Sequence, residues 1–216
     1  MPNYLNAPLR QYLDELASGE PTPGGGSAAG VSGSMAAALL CMSARFTIGR
    51  ERYAAFDEAA TRVVTVAESL RAELQILIEE DAVAYAQYGA AMVLPKGTDE
   101  EKHSRHLALQ AATSASALAP MAIARHSYRL LELAGILAAN CNPNLVSDVA
   151  VATEMAISAF RSAVLNVRLN LRYLEDADFV AQLTNELAPM VEQAPTLAET
   201  ALNTAYSVMK LPVEGV

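Results

Sequence analysis

The chain has 216 residues, of which 52% are hydrophobic and 18% charged, and its 15 basic and 24 acidic side chains give a net charge of −9. That balance argues against a disordered chain and against a nucleic-acid binder, which needs a basic face. With 42 alanines, 6% aromatics, no tryptophan and no internal repeat, residues 1–216 read as a single helical domain packed through small side chains.

Leu9, Tyr12, Leu13 and Leu16 share a stripe and predict a first helix over residues 4–17, stopped by Gly19 and Pro21. Pro23-Gly24-Gly25-Gly26-Ser27 is a turn into a second helix over 27–47. That helix is nearly all small or apolar (Ala28, Ala29, Gly30, Gly33, Ala36, Ala37, Ala38), so another backbone can come close, inside the core or across a subunit interface. A long third helix over 54–91 carries Val63, Ala67, Leu70, Leu74 and Leu77 on one face, and the polar segment 95–105 ends it. A fourth helix reaches residue 139, with Pro120 expected to kink or break it. The loop Asn140-Cys141-Asn142-Pro143-Asn144 precedes a fifth helix over 147–174. A last helical region follows Asp176, interrupted by Pro189 and Pro195. No period-two alternation and no βαβ pattern occurs. The expected fold is all-α, a bundle of about six long antiparallel helices.

Cys41 and Cys141 are the only cysteines and lack CxxC spacing, so two buried free thiols in a cytoplasmic protein are expected. The N-terminus carries charges and no apolar core, unlike a secretory signal. Residues 21–44 are uncharged and long enough to span a bilayer, but four serines and the PTPGGGS start favour a buried central helix.

Asp81 is the most informative residue. It lies four after Leu77 and three after Ile78, with Ala84, Tyr85 and Tyr88 following at helical spacing, so it interrupts an apolar stripe. A carboxylate there is costly unless it is paired or lines a polar pocket. It is either a structural partner of a neighbouring helix or a pocket acid/base. Asp148, Ala152, Met155, Ala159, Ala163, Asn166 and Asn170 share a stripe of the fifth helix, polar at both ends. Asp148 and Asn166 are about 27 Å apart along a straight helix. Either one end is catalytic or a second subunit brings the two ends together. Interhelical hydrogen bonding is the plain alternative for Asn166 and Asn170, and N-capping for Ser147 and Asp148.

Gly24, Gly25, Gly26 and Ser27 before a helix can present backbone N–H groups to an anion, or merely turn the chain. They lack the lysine of a P-loop and the GxGxxG fingerprint. Arg50 and Arg52 form a basic patch in an acidic chain, either a solvated turn or a grip on an anionic ligand tail. His103, His106 and His126 have no zinc-site spacing, so no metal is expected, and no GxSxG nucleophile motif is present.

Six segments in order resemble the cyclodeaminase/methenyltetrahydrofolate cyclohydrolase family, which is also the C-terminal half of formiminotransferase-cyclodeaminase. They are PTPGGGSAA (21–29), TIGRERY (47–53), DAVAY (81–85), LPKGTDEEK (94–102), NLVSDV (144–149) and NVRLNL (166–171). The chain departs in having NCNPN before SD, where the family commonly has Gly-Asn, and Arg50-Glu51-Arg52 in a run that is often Lys-rich.

The resemblance implies an all-α C2 homodimer, or an assembly of dimers, that binds a tetrahydrofolate derivative with no further cofactor. It implies one of two reactions, and the absence of room for a formiminotransferase domain favours the first. A cyclohydrolase converts 5,10-methenyltetrahydrofolate and water to 10-formyltetrahydrofolate. A cyclodeaminase closes 5-formiminotetrahydrofolate and expels ammonia. Asp81 would then be the acid/base and would stabilise the methenyl cation, with Asn166 and Asn170 orienting the pterin or the one-carbon unit. Arg50 and Arg52 would hold the glutamate tail, and Arg168 would meet the tail or a second subunit. The resemblance also places Gly24, Gly25, Gly26, Ser27, Asn144, Ser147 and Asp148 among the substrate-binding residues. The competing class is a non-catalytic helical folate-binding or scaffold protein of the same fold.

Overall fold

The computed structural model describes residues 4–212, and these form helices without a strand. A 3-10 turn at Tyr4–Asn6 precedes α1 (Leu9–Leu16). Then come α2 (Gly25–Arg45), a 3-10 segment Glu51–Phe56, and α3 (Asp57–Met92). The chain continues through α4 (Asp99–Asn140), a 3-10 turn Pro143–Leu145, α5 (Val146–Leu171) and α6 (Ala177–Met209). Short connections from α3 onward make successive helices antiparallel neighbours. Helix α2 packs on α3, α4 and α5, while α4 also meets α6, so α2, α4 and α5 form the centre.

The predicted stripe of α3 is the core: Val63, Ala67, Leu70, Leu74 and Leu77 are all buried. They meet the small face of α2, where Ala36, Ala37, Leu40 and Ala44 are fully buried. Gly30 lets the two helices approach: a Cβ there would lie 2.9 Å from Ile78 Cγ1. The small face of α2 that could have met another subunit is therefore used, at this point, within the chain. Helices α2 and α4 are long and apolar enough to cross a membrane, but more than half of the apolar window of α2 is buried inside the bundle.

Several boundaries differ from the sequence reading. The first helix is not continuous over 4–17, because Pro8 separates the 3-10 turn from α1. Leu9 and Leu13 are largely exposed and Tyr12 alone in α1 is buried, so that stripe is no core face. Residues 54–56 belong to the 3-10 segment, not to α3. The polar segment 95–105 is only in part a breaker. Thr98 caps α4 by accepting from Glu101 N–H, and the Glu101 carboxylate accepts in return from Thr98 N–H.

Neither α4 nor α6 is interrupted by its prolines: α4 runs through Pro120, and α6 through Pro189 and Pro195. A helical proline leaves the carbonyl four residues earlier without its usual donor. For Pro120 that carbonyl is Ser116 O, and the Asn170 side chain of α5 donates to it at 2.8 Å. Helix α6 is further held by the Arg125–Glu186 ion pair to α4 and by Leu183, Leu187 and Ala194 in the core.

At one end of the bundle the TIGRERY run meets the loop after α4. Thr47 Oγ1 accepts from Asn142 N–H at 3.0 Å, and Tyr53 O–H donates to Asn142 Oδ1 at 3.4 Å. Cys41 and Cys141 are buried free thiols, each pushed up to about 11 by desolvation.

Candidate active site

A cavity of about 380 Å³ opens between the N-terminus of α2 and the facing walls of α3, α4 and α5. Its size suits a small-molecule site. Asp81 stands in its wall. Gly24 caps α2, and the first N–H groups of a helix have no partner within it. Asp81 supplies one: its Oδ2 accepts from Ser27 N–H at 3.1 Å across 54 residues of sequence. At Ser27 the anion that this turn meets is the chain's own carboxylate. Gly26 makes the contact possible, because a Cβ there would stand 2.1 Å from Asp81 Oδ1.

Burial raises the Asp81 carboxyl above its ordinary range, and the Ser27 N–H pulls it part of the way back. No basic side chain pairs with Asp81 among the described residues. Behind it, the buried Tyr12 hydroxyl lies 3.2 Å from Ser27 Oγ, and burial, the larger cause, raises the Tyr12 phenol as well.

The far walls carry four polar side chains. Thr113 Oγ1 and Ser116 Oγ each donate at 2.8 Å to carbonyls of their own helix, Leu109 O and Ala112 O. Asn166 Nδ2 donates to Ser162 O at 3.2 Å, and Asn170 Nδ2 to Ser116 O at 2.8 Å. Thr113 and Ser116 spend their one O–H on backbone and offer the cavity lone pairs, while each Asn amide commits one of its two N–H donors to backbone and keeps its oxygen free to accept. With Asp81 they offer acceptors, facing the N–H groups of Gly25 and Gly26 at the start of α2, and among the described residues no lysine, arginine or histidine lines the space. Tyr85, Tyr88 and Tyr173 supply flat apolar faces around it. Such a cavity suits a planar ligand that is cationic or rich in N–H groups.

The structure thus gathers Gly24, Gly25, Gly26, Asp81, Asn166 and Asn170, with Ser27 bonded to Asp81. It does not bring the other sequence-predicted residues there. Arg50 lies in a shallow cleft with Arg45 and Gly49. Arg52 follows it, stacked on the Tyr53 ring at 5.7 Å. Asn144, Ser147 and Asp148 follow the loop that Tyr53 and Thr47 hold, at the other end of α5 from Asn166. Arg168 faces a groove between α5 and α6 with Arg161, Val191 and Pro195. Sequence reading missed Tyr12, Thr113, Ser116 and Tyr173 as site residues. The spacing of Tyr85 and Tyr88 after Asp81 was visible, but it reads equally well as core.

A family model for formiminotransferase-cyclodeaminase matches residues 8–189. The chain belongs to the formiminotransferase-cyclodeaminase family. Among its relatives, the methenyltetrahydrofolate cyclohydrolase of Methylorubrum extorquens is 38% identical over 94% of this chain and 97% of that one. The formimidoyltransferase-cyclodeaminase of Sus scrofa is 32% identical over 92% of this chain, which spans 37% of that longer enzyme. The crystal structure of formiminotetrahydrofolate cyclodeaminase from Thermotoga maritima superposes with a TM-score of 0.85 at 28% identity, covering 96% of this chain and all of that one. The all-α fold expected from the sequence is therefore the fold of this family.

Proposed function

We propose that the chain is a methenyltetrahydrofolate cyclohydrolase. The observation that carries this reading is the burial-raised Asp81 carboxyl, without an ion-pair partner, in a cavity with no basic side chain in its lining among the described residues. The near-full-length match to the Methylorubrum enzyme supports it. The methenyl bridge is an amidinium cation, which such acceptors stabilise. Water adds to the methine carbon as Asp81 takes one of its protons. Asp81 then returns that proton to N5 as the C–N5 bond breaks, and the hydroxyl proton leaves to solvent as the formyl carbonyl forms. A carboxyl whose pKa burial has raised is suited to both transfers.

Cyclodeamination is the second reading, favoured by the likeness to the Thermotoga protein. Incubating the purified chain separately with methenyltetrahydrofolate and 5-formiminotetrahydrofolate distinguishes them. Loss of methenyl absorbance with the first substrate and no ammonia from the second supports the cyclohydrolase. Ammonia release with a gain of methenyl absorbance supports the cyclodeaminase, and silence in both assays overturns an enzymatic role. We propose that no metal or further cofactor takes part, so turnover is expected to survive exhaustive chelation. Loss with EDTA and recovery with zinc or magnesium would contradict this.

The proposed working form is a cytoplasmic C2 homodimer, free of membrane and nucleic acid. Val151, Leu165 and Leu169 on α5 are half exposed or more. Asn144, Ser147 and Asp148 lie at the opposite end of α5 from the cavity, where a second copy in antiparallel register would bring them close. Light scattering at micromolar concentration is expected to give twice the chain mass of 22.9 kDa. A single monomeric mass would remove the dimer.

A further inference from the structure

Pro120 and Asn170 meet in the cavity wall. A proline has no N–H, so in α4 it brings no donor to Ser116 O. The Asn170 side chain from α5 donates to that carbonyl at 2.8 Å. A carbonyl only accepts, so the amide group facing it must be the NH2. The other end of the amide is then fixed as well. Asn170 Oδ1 has no hydrogen-bond partner among the described residues, and Asn170 lines the cavity.

An unrestrained asparagine could flip and present either an oxygen or an NH2 to a ligand. This one cannot flip without leaving Ser116 O unpaired and turning an oxygen toward an oxygen. We propose that Pro120 is a positioning residue. Its missing N–H holds the Asn170 amide in one orientation, so that Asn170 Oδ1 accepts a hydrogen bond from an N–H of the bound folate. The proposal rests on the folate reading above. It goes beyond it in assigning a role to a proline that reacts with nothing.

Two substitutions and their combination test it. Pro120→Ala restores an N–H that can pair with Ser116 O inside α4, which releases the Asn170 amide. Asn170→Ala removes both ends of the bridge. In the wild-type background, Asn170→Ala should lower Tm and raise KM for methenyltetrahydrofolate by roughly tenfold, the scale of one hydrogen bond to a ligand. Pro120→Ala should keep or raise Tm, yet still raise KM by several-fold with a smaller change in kcat.

The double variant is decisive. Its Tm should recover toward wild type, because Ser116 O again has a donor, while KM stays as poor as in Asn170→Ala. If the double variant regains wild-type KM along with Tm, Asn170 only fills the proline gap and the proposal falls. It falls too if Pro120→Ala leaves KM unchanged, or if Asn170→Ala leaves Tm unchanged in the wild-type background. Binding of 5-formyltetrahydrofolate, measured calorimetrically on the same four proteins, replaces KM if the wild type turns over neither substrate. That outcome overturns the reaction, while affinity and Tm still decide the role of the amide.

Discussion

Asp81→Asn is expected to reduce methenyltetrahydrofolate turnover by roughly 10²-fold or more, the usual scale for losing a general acid/base. The same change should leave Tm unchanged or raise it. The substitution keeps the shape of the side chain and an oxygen to accept from Ser27 N–H, which Asp81 accepts at 3.1 Å. What it removes is a half-buried charge without an ion-pair partner among the described residues.

The pH dependence of stability gives an independent check. Burial raises the Asp81 carboxyl above its unfolded value of 3.8. In the interval between the two values the folded chain holds a proton that the unfolded chain has released. The Asp81 contribution is therefore fully present below 3.8 and is lost as pH rises through the folded value. Denaturation midpoints of Asp81→Asn relative to wild type should rise across that interval and then level off. Full activity with a large drop in Tm would refute the assignment.

Gly26→Ala should abolish most turnover without replacing a reacting group. The added Cβ would fall 2.1 Å from Asp81 Oδ1, 2.4 Å from its Cγ and 2.6 Å from Oδ2. The carboxylate must swing away, losing Ser27 N–H and its place in the wall. The fold should tolerate this, because alanine in a helix is favoured over glycine by up to about 1 kcal/mol, which offsets the broken bond. The expected result is a turnover loss close to that of Asp81→Asn with a Tm within a few degrees of wild type. Because the effect passes through Asp81, the double variant should be no worse than either single one. Additive losses would mean that Gly26 acts on the ligand by a separate route.

The sequence carried the fold where a period was long and uninterrupted. Val63 to Leu77 on α3 recur often enough that no other element fits, and Asp81 stood out because it broke that recurrence. The cavity was less legible because its parts come from four helices, and periodicity says nothing about which faces meet. Gly26 illustrates this: in sequence it is one of three turn glycines, and only the approach of α3 makes it irreplaceable. The interruption read at Pro189 and Pro195 fails for a related reason, since α6 continues through both. At Pro120, read as a kink or a break, α4 continues, and the donor that Ser116 O lacks arrives from Asn170, fifty residues later. In α1 the leucines formed a convincing stripe, yet Tyr12, with its hydroxyl beside Ser27, is the residue that turns inward. Asp148 lies at the far end of α5 from the cavity, as the length of that helix implied, and periodicity within one chain says nothing about whether a second copy brings it close.

The two cysteines make the native chain a convenient object for labelling. The thiolate is the form that reacts, and both thiols are buried and pushed up to about 11, so a maleimide at neutral pH finds little to attack. Tyr173 is exposed and lines the cavity. A cysteine placed there would carry a fluorophore at the entrance while Cys41 and Cys141 stay in place. Ligand arrival could then be followed as a change in emission, in a protein whose interior has not been altered to make the measurement possible.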